Sequence, residues 1–162
     1  MKTFSYVPFY EIELTDGFWK DRQKLNADVS IPNVYKRFKE TNRIDCLYPK
    51  WKRPLSRSDR FYDSDTAKWI EAVAYVLQKH RADYPELEKL CDEVINLFKK
   101  RQQANGYLNS YFQRRPLKPK FFFRPDHELY CAGHIMEAAV AYYRATGKDS
   151  LLKASEKYAD HI

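Results

Sequence analysis

Apolar residues recur every three or four positions in several long stretches of this chain, the spacing of one face of an α-helix. The strongest run covers residues 127–147, HELYCAGHIMEAAVAYYRATG, where Leu129, Ala132, Met136, Ala139, Val140 and Tyr143 share one stripe. Asp126 stands just before it, where a carboxylate caps free backbone amides, and Gly147 stands where a left-handed residue ends a helix. Residues 63–80 give a second helix, with Ser64 or Asp65 as its cap. Its stripe of Ala67, Ile70, Ala74 and Leu77 is widened by Trp69, Val73 and Val76, so it should lie inside. Pro85 opens a third helix whose stripe is Leu87, Leu90, Cys91, Val94 and Phe98, with charge on the other face, so it should lie outside. Residues 149–162 close the pattern with Leu151, Leu152, Tyr158 and Ala159.

The earlier part is less regular. Residues 4–14, FSYVPFYEIEL, are aromatic, β-branched and interrupted by Pro8, which predicts an isolated edge strand whose partners lie in other sequence. A turn at Thr15-Asp16-Gly17 leads to a helical period through Phe18, Trp19, Arg22 and Leu25. Pro32 should break or restart it, and Val34, Tyr35 and Phe38 continue on a second short helix. Residues 45–61 have no clean period and contain Pro49 and Pro54, which predicts a long loop. Ala72-Val73-Ala74-Tyr75 returns as Ala139-Val140-Ala141-Tyr142, each followed by a more charged helix. The expected fold is therefore all-α, built of helical hairpins, inner helix then outer, as in a helical toroid or solenoid.

Composition narrows the function classes. A chain of 162 residues is one domain or part of a larger one. Tyr occurs 13 times and Phe 10 times, and rings with an apolar face and a polar tip suit partly polar ligands such as sugars. Four glycines leave little material for a phosphate-cradling loop. The net charge of +7 is compatible with nucleic acid, an anionic polysaccharide or plain solubility, and the scatter of Lys and Arg favours a solvated surface. Cys46, Cys91 and Cys131 are odd in number and share no CxxC spacing, so no disulfide framework is expected. No apolar run is long enough for a membrane span and the N-terminus lacks the apolar core of a signal peptide, which gives a cytoplasmic expectation.

Three groups could carry chemistry. His127, Cys131 and His134 stand at i, i+4 and i+7, a weak zinc pattern in which Cys131 reads more simply as core. Asp63, Asp65 and Lys68 stand at a helix start, where paired carboxylates can divide acid and base work or merely complement the helix dipole. Glu128 is a further carboxylate candidate, and Glu137 reads as a buried partner or an ordinary helix residue. The basic, aromatic segment 112–124 mixes Arg114, Arg115, Lys118, Lys120 and Arg124 with Phe residues, as single-strand nucleic-acid grooves do, and equally as a glycan surface or a solvated loop would. No serine-nucleophile motif, Walker loop or dinucleotide fingerprint is present.

Four motifs occur in order: GFWKDRQ, FYDSDTAKWIEAVAYVL, QQANGYLNSYF and HELYCAGHIMEAAVAYYRATGKDSLL. In this combination the chain resembles the N-terminal part of the β-L-arabinofuranosidase family, glycoside hydrolase family 127, and its sister families. The resemblance implies an (α/α)6 toroid followed by β-sandwich domains in proteins several times longer. On that footing residues 1–15 would be a strand segment of a sandwich and residues 16–162 a partial toroid. His127 matches the family's sugar-contacting His of the HELY motif, and Asp63, Asp65 and Trp69 match its DSD-x-x-KW motif. The second His of the HELY motif matches His134, in a structural role. The family's Glu acid/base and its zinc-bound Cys nucleophile are expected beyond residue 162, so no catalytic residue and no zinc ligand is expected here. A sugar-contacting Gln of the family has no counterpart in residues 45–61. The implied function is hydrolysis of terminal arabinofuranosides of plant-type glycans, with an arabinose-containing oligosaccharide as partner, no nucleic acid and no membrane. This stretch alone is expected to be inactive and to self-associate through exposed inner helices. The alternatives are a non-catalytic helical module binding carbohydrate or polyanion, and a helical-repeat assembly piece.

Overall fold

The structure, a computed structural model, describes residues 4–52 and 56–162. Among them the α-helices are α1 (Gly17–Leu25), α2 (Ile31–Glu40), α3 (Tyr62–His80), α4 (Pro85–Arg101), α5 (Glu128–Thr146) and α6 (Ser150–His161). No strand occurs among the described residues. α3 and α5 pack on each other most extensively, and α4 and α6 flank them from one side. This is the expected pair of hairpins, two inner helices backed by two outer ones. Ala67 and Ala74 on α3 and Ala132, Ala138 and Ala139 on α5 are all buried, and such small side chains let two helix axes approach closely.

The predicted stripes of α3 and α4 are buried as expected, with Leu90 of α4 half-buried at the margin. The stripe of α5 is only partly so: Ala132 and Ala139 are buried and Met136 is half-buried. Leu129, Val140 and Tyr143 are 56%, 40% and 45% exposed, and the buried positions are Glu128, Cys131, Ala132, Ile135, Ala138, Ala139, Ala141 and Tyr142. A helix with apolar residues on two sides offers two candidate faces to a period count. Here Ala132, Ile135, Ala138 and Ala139 are buried, while Val140 is left exposed and lines a shallow cavity with Tyr75. The Ala-Val-Ala-Tyr repeat is likewise out of register in space, because Tyr75 is exposed whereas Tyr142 is buried with its hydroxyl donating to Asp92 at 2.7 Å. In α6, Leu151 and Tyr158 are buried, Leu152 is half-buried and Ala159 is exposed.

Of the two expectations for Pro32, break or restart, the structure shows the restart. A π-turn at Asn26–Ser30 joins α1 to α2, with the proline in the first turn of α2. A wider turn of this kind absorbs a residue that lacks an N–H. The predicted loop 45–61 is partly built: Cys46 and Leu47 are fully buried in a 3-10 turn at Asp45–Leu47. A second 3-10 turn at Arg57–Phe61, capped reciprocally by Ser56 and Asp59, leads directly into α3. Pro54 lies outside the described residues.

The N-terminal segment is not a strand over its described part. From Phe4 it has no regular structure except a single 3-10 turn at Phe9–Glu11, because a strand needs a neighbour to satisfy its backbone and none is present among the described residues. Instead it lies along α3: the Phe9 ring meets Tyr75 at 5.1 Å edge to face, and the Lys79 ammonium donates to the Ile12 carbonyl.

Candidate functional site

Two buried carboxylates fix the ends of the inner helices. Glu128, in the first turn of α5, accepts the Tyr107 hydroxyl on one oxygen and the Phe121 amide on the other, both at 2.5 Å. Burial, then the Glu128 carboxylate, push the Tyr107 phenol well above its ordinary range. Asp63, in the first turn of α3, accepts the Ser110 amide at 2.6 Å. The Ser110 carbonyl in turn accepts from Arg101 at 3.2 Å and Arg114 at 3.0 Å. The backbone of this one residue is thus gripped on both sides, its N–H by an acid and its carbonyl by two guanidiniums. Burial raises the Asp63 carboxyl above its usual range, opposed by the Ser110 hydrogen bonds and the two arginines. The segment Tyr107 to Phe112, part of QQANGYLNSYF, is buried throughout and serves as the wedge these acids hold.

Between these anchors an aromatic ladder crosses from one inner helix to the other. His127 sits immediately before α5 in the left-handed conformation, φ 58° and ψ 29°. For a residue with a side chain this costs about 1–2 kcal/mol, and such strain marks positions held by their surroundings. Its ring lies 4.8 Å from Phe61 and 5.7 Å from Tyr130, and Tyr130 lies 4.5 Å edge to face from His134. The Lys68 ammonium of α3 donates to the Tyr130 hydroxyl at 2.5 Å. His127 is half-buried, while Tyr130 and Lys68 are exposed. The result is a wall of ring faces edged by imidazole nitrogen, phenol and ammonium, which can meet both the C–H face and the hydroxyls of a small polar ring.

The other residues singled out from sequence fall in different places. Asp63 and Trp69 are buried in this chain, the Trp69 indole N–H donating to the Ile31 carbonyl at 3.0 Å. Neither reaches the ladder's open face. Asp65 is half-buried and paired with Arg43 at 2.8 Å, and the Ser64 hydroxyl donates to the Phe61 carbonyl at 2.7 Å, so neither expected cap closes the start of α3. Nor does Asp126 cap α5; it pairs with Lys118 at 2.5 Å and faces Arg60 at 3.8 Å. Cys131 turns away from His127 and His134 into the core, donating to the Arg60 carbonyl, so the three do not converge. Glu137, expected as a buried partner or an ordinary helix residue, is not buried: its side chain is 61% exposed and lies 2.9 Å from His134. In the basic segment Arg115 lies over Tyr111, Lys118 over Phe112 and Phe123, and Lys120 over Tyr107, so these cations are spent on the chain's own rings. Phe61 and Tyr130 were not singled out in sequence; Tyr130, three residues after His127 and one turn on, was the recoverable signal.

The zinc that the resemblance implies does not fit the cysteines described here. Cys46, Cys91 and Cys131 are each buried, and they form no metal-holding group among the described residues. Burial pushes all three thiols up, Cys131 to about 12, which opposes the thiolate that zinc requires. No described helix is long and apolar enough to cross a membrane.

Comparison with known proteins bears on this geometry. Residues 11–162 match the family profile described as Beta-L-arabinofuranosidase, GH127 catalytic domain. A non-reducing end β-L-arabinofuranosidase of Bifidobacterium longum subsp. longum is 41% identical over 105 residues, which is 62% of this chain and 16% of that protein. The crystal structure of a GH127 β-L-arabinofuranosidase from Geobacillus stearothermophilus T6 superposes with a TM-score of 0.80 at 41% identity, covering 92% of this chain and 25% of that one. A second solved GH127 β-arabinofuranosidase gives 0.82 at 31% identity, covering 95% and 26%. This chain therefore spans about a quarter or less of the relatives it matches. The all-helical pair of hairpins agrees with part of an α/α toroid in these neighbours. With the profile matched from residue 11 to residue 162, the chain belongs to the β-L-arabinofuranosidase family, glycoside hydrolase family 127.

Proposed function

We propose that this chain forms part of the catalytic toroid of a glycoside hydrolase that removes terminal arabinofuranosyl residues from plant-type glycans. The observation that carries the reading is the match of residues 11–162 to the family's catalytic domain, with His127 held by strained backbone between two rings at the helix ends. In this proposal His127 contacts the sugar and Tyr130 and Lys68 flank it. Asp65 orders Arg43 beside the helix start, and Asp63 and Trp69 act from the interior by holding α3 in place. The Glu acid/base and zinc-bound Cys nucleophile implied by the family resemblance are not supplied by these residues. Zinc, when bound by its own cysteines, would activate that nucleophile, and the residues here bind and orient the sugar. We also propose that the open side of α3 and α5 favours self-association of this chain in isolation.

The test is a nuclear magnetic resonance titration of the 162-residue chain with methyl β-L-arabinofuranoside. The His127 and Tyr130 ring resonances should move together, with a dissociation constant of about a millimolar, the weak end expected of a partial site. His127→Ala should abolish the movement. Movement confined to other residues, or none at saturating sugar, would overturn the assignment. The chain alone should not release p-nitrophenol from a nitrophenyl arabinofuranoside, and turnover would refute the dependence on further sequence.

A further inference from the structure

At the far end of the ladder, starting from its last ring, His134, the open face of α3 and α5 carries a second polar group. Glu71 of α3 meets His134 and Glu137 of α5, with one ligand-capable atom from each lying within 4.8 Å of the others. We propose that these three side chains form a binding site for a divalent transition metal of the zinc or manganese class. This goes beyond the sugar-binding reading and does not depend on it.

Several observations point the same way. One imidazole and two carboxylates form a donor set suited to such ions, and three protein ligands leave a position open. At metal–ligand distances of about 2.1 Å, tetrahedral donors stand about 3.4 Å apart. The present spacing needs at most a small closing movement, which an exposed Glu137 and a half-buried Glu71 can make by side-chain rotation. The Tyr75 hydroxyl donates to Glu71 at 2.5 Å and orients its carboxylate, as outer-shell partners do in metal sites. His134 Nδ1 lies 2.9 Å from Glu137 but off the hydrogen-bond line, and it is shielded from solvent. The chain carries 29 Lys and Arg, yet neither carboxylate makes an ion pair with one among the described residues. Lys68 is engaged with Tyr130, and Arg144, which lines the same shallow cavity of about 460 Å³, pairs with neither. Two like charges converging on one imidazole without a cation are destabilising unless a cation or proton joins them. The group contains no cysteine, so it is distinct from the zinc centre that the family resemblance implies.

The experiment is calorimetric titration of the tag-free chain, stripped with chelator and dialysed, with zinc chloride and separately with manganese chloride. One equivalent should bind. Glu71→Gln and His134→Asn should each weaken binding at least tenfold. Glu137→Gln, at an exposed position where folding is not in question, should do the same. Tyr75→Phe should weaken it about tenfold, the lower end for an outer-shell partner. His80→Ala, a surface histidine outside the group, should leave it unchanged. Absence of binding by either metal, or binding that survives all three ligand substitutions, would overturn the site. The sugar titration is run on metal-free protein, so the failure of either proposal is read separately.

Discussion

Replacing Gly106 by Ala tests whether the loop after α4 is locked to α6 as the packing indicates. Gly106 has φ +91°, and a Cβ built there would lie 2.2 Å from the Lys157 carbonyl oxygen and 3.0 Å from its carbon. The obstacle is backbone in the last turns of α6, so it cannot swing aside as a side-chain tip would. Two costs combine. A side chain at positive φ costs about 1–2 kcal/mol, and overpacking against fixed structure about 1–3 kcal/mol. Restricting the unfolded chain returns about 0.4–1 kcal/mol, so the net loss should be about 2–4 kcal/mol. Part of it would appear as loosened ties: Gln102 donates to both the Gly106 and Ala154 carbonyls at 2.8 and 2.7 Å, and Tyr107 packs edge to face on Tyr158 at 5.8 Å. Gly147→Ala is the internal control, since Gly147 has φ +75° with nothing within 4 Å of an added Cβ. It should lose only the strain, about 1 kcal/mol after the entropy gain. Urea unfolding followed by far-ultraviolet circular dichroism reads both. With a slope of about 2 kcal/mol/M, Gly106→Ala should lower the midpoint by about 1–2 M and Gly147→Ala by about 0.5 M. Equal midpoints for the two variants would refute the close approach of the loop to α6.

The remaining predictions rest on electrostatics and exposure. Glu88 accepts two bonds from Arg81, at 2.8 and 2.6 Å, and lies 2.6 Å from Lys148, joining the connection after α3 to that before α6. The Arg81 hydrogen bond first, with help from Lys148, holds its carboxyl down at about 2 from an ordinary 4.5. A depressed carboxyl adds stability that is full above the unfolded value and lost as pH falls towards the folded one. The shift corresponds to about 3 kcal/mol, and solvent screening reduces the expected contribution to about 1–2 kcal/mol. The stability gap between the chain and Glu88→Gln should therefore shrink by more than half between neutrality and about pH 3, and a gap independent of pH would refute the pairing. Glu128→Ala leaves the Tyr107 hydroxyl and the Phe121 amide without their acceptor in the interior and should cost about 2–4 kcal/mol in urea unfolding; a loss under about 0.5 kcal/mol, the level of an ordinary surface change, would remove its role as an anchor. Sedimentation velocity should show concentration-dependent association of the isolated chain, relieved by Val140→Glu combined with Tyr143→Glu. A concentration-independent monomer would rule out association through the open face.

What periodicity could and could not reveal divides along physical lines. Ala67, Ile70, Ala74 and Leu77, widened by Trp69, Val73 and Val76, declare α3 an inner helix because apolar residues cover much of its girth, and all seven are buried. Gly147 declares the end of α5 because its conformation, φ +75°, is one a glycine adopts without strain. On α5 the same count chose Leu129, Val140 and Tyr143, since hydrophobicity alone does not say that small side chains win the contact with a neighbouring helix. Residues 4–14 have strand-like composition, yet composition cannot supply the neighbour a strand pairs with, and the segment lies on Tyr75 instead.

The site shows the same division more sharply. The sequence resemblance marked His127, but its sequence neighbours reveal only part of why its ring is held where it is. That depends on Phe61, on Tyr130 one turn along, and on Glu128 gripping residues 21 positions before it and 7 before it. Asp63 acts across 47 positions on the Ser110 amide, and its motif neighbour Trp69 across 38 on Ile31. A motif such as DSD-x-x-KW therefore reads as a ligand-binding signature in sequence, while in the fold two of its members hold the wall from behind and a third, Lys68, stands on the open face. If His127 meets the sugar, substitutions at Asp63 and Trp69 should lower stability and sugar affinity together, whereas His127→Ala should lower affinity with little change in the unfolding midpoint. Parallel titration and unfolding of the three variants separates contact from support, and an Asp63 variant of native stability that no longer binds sugar would move that carboxylate from the scaffold to the site.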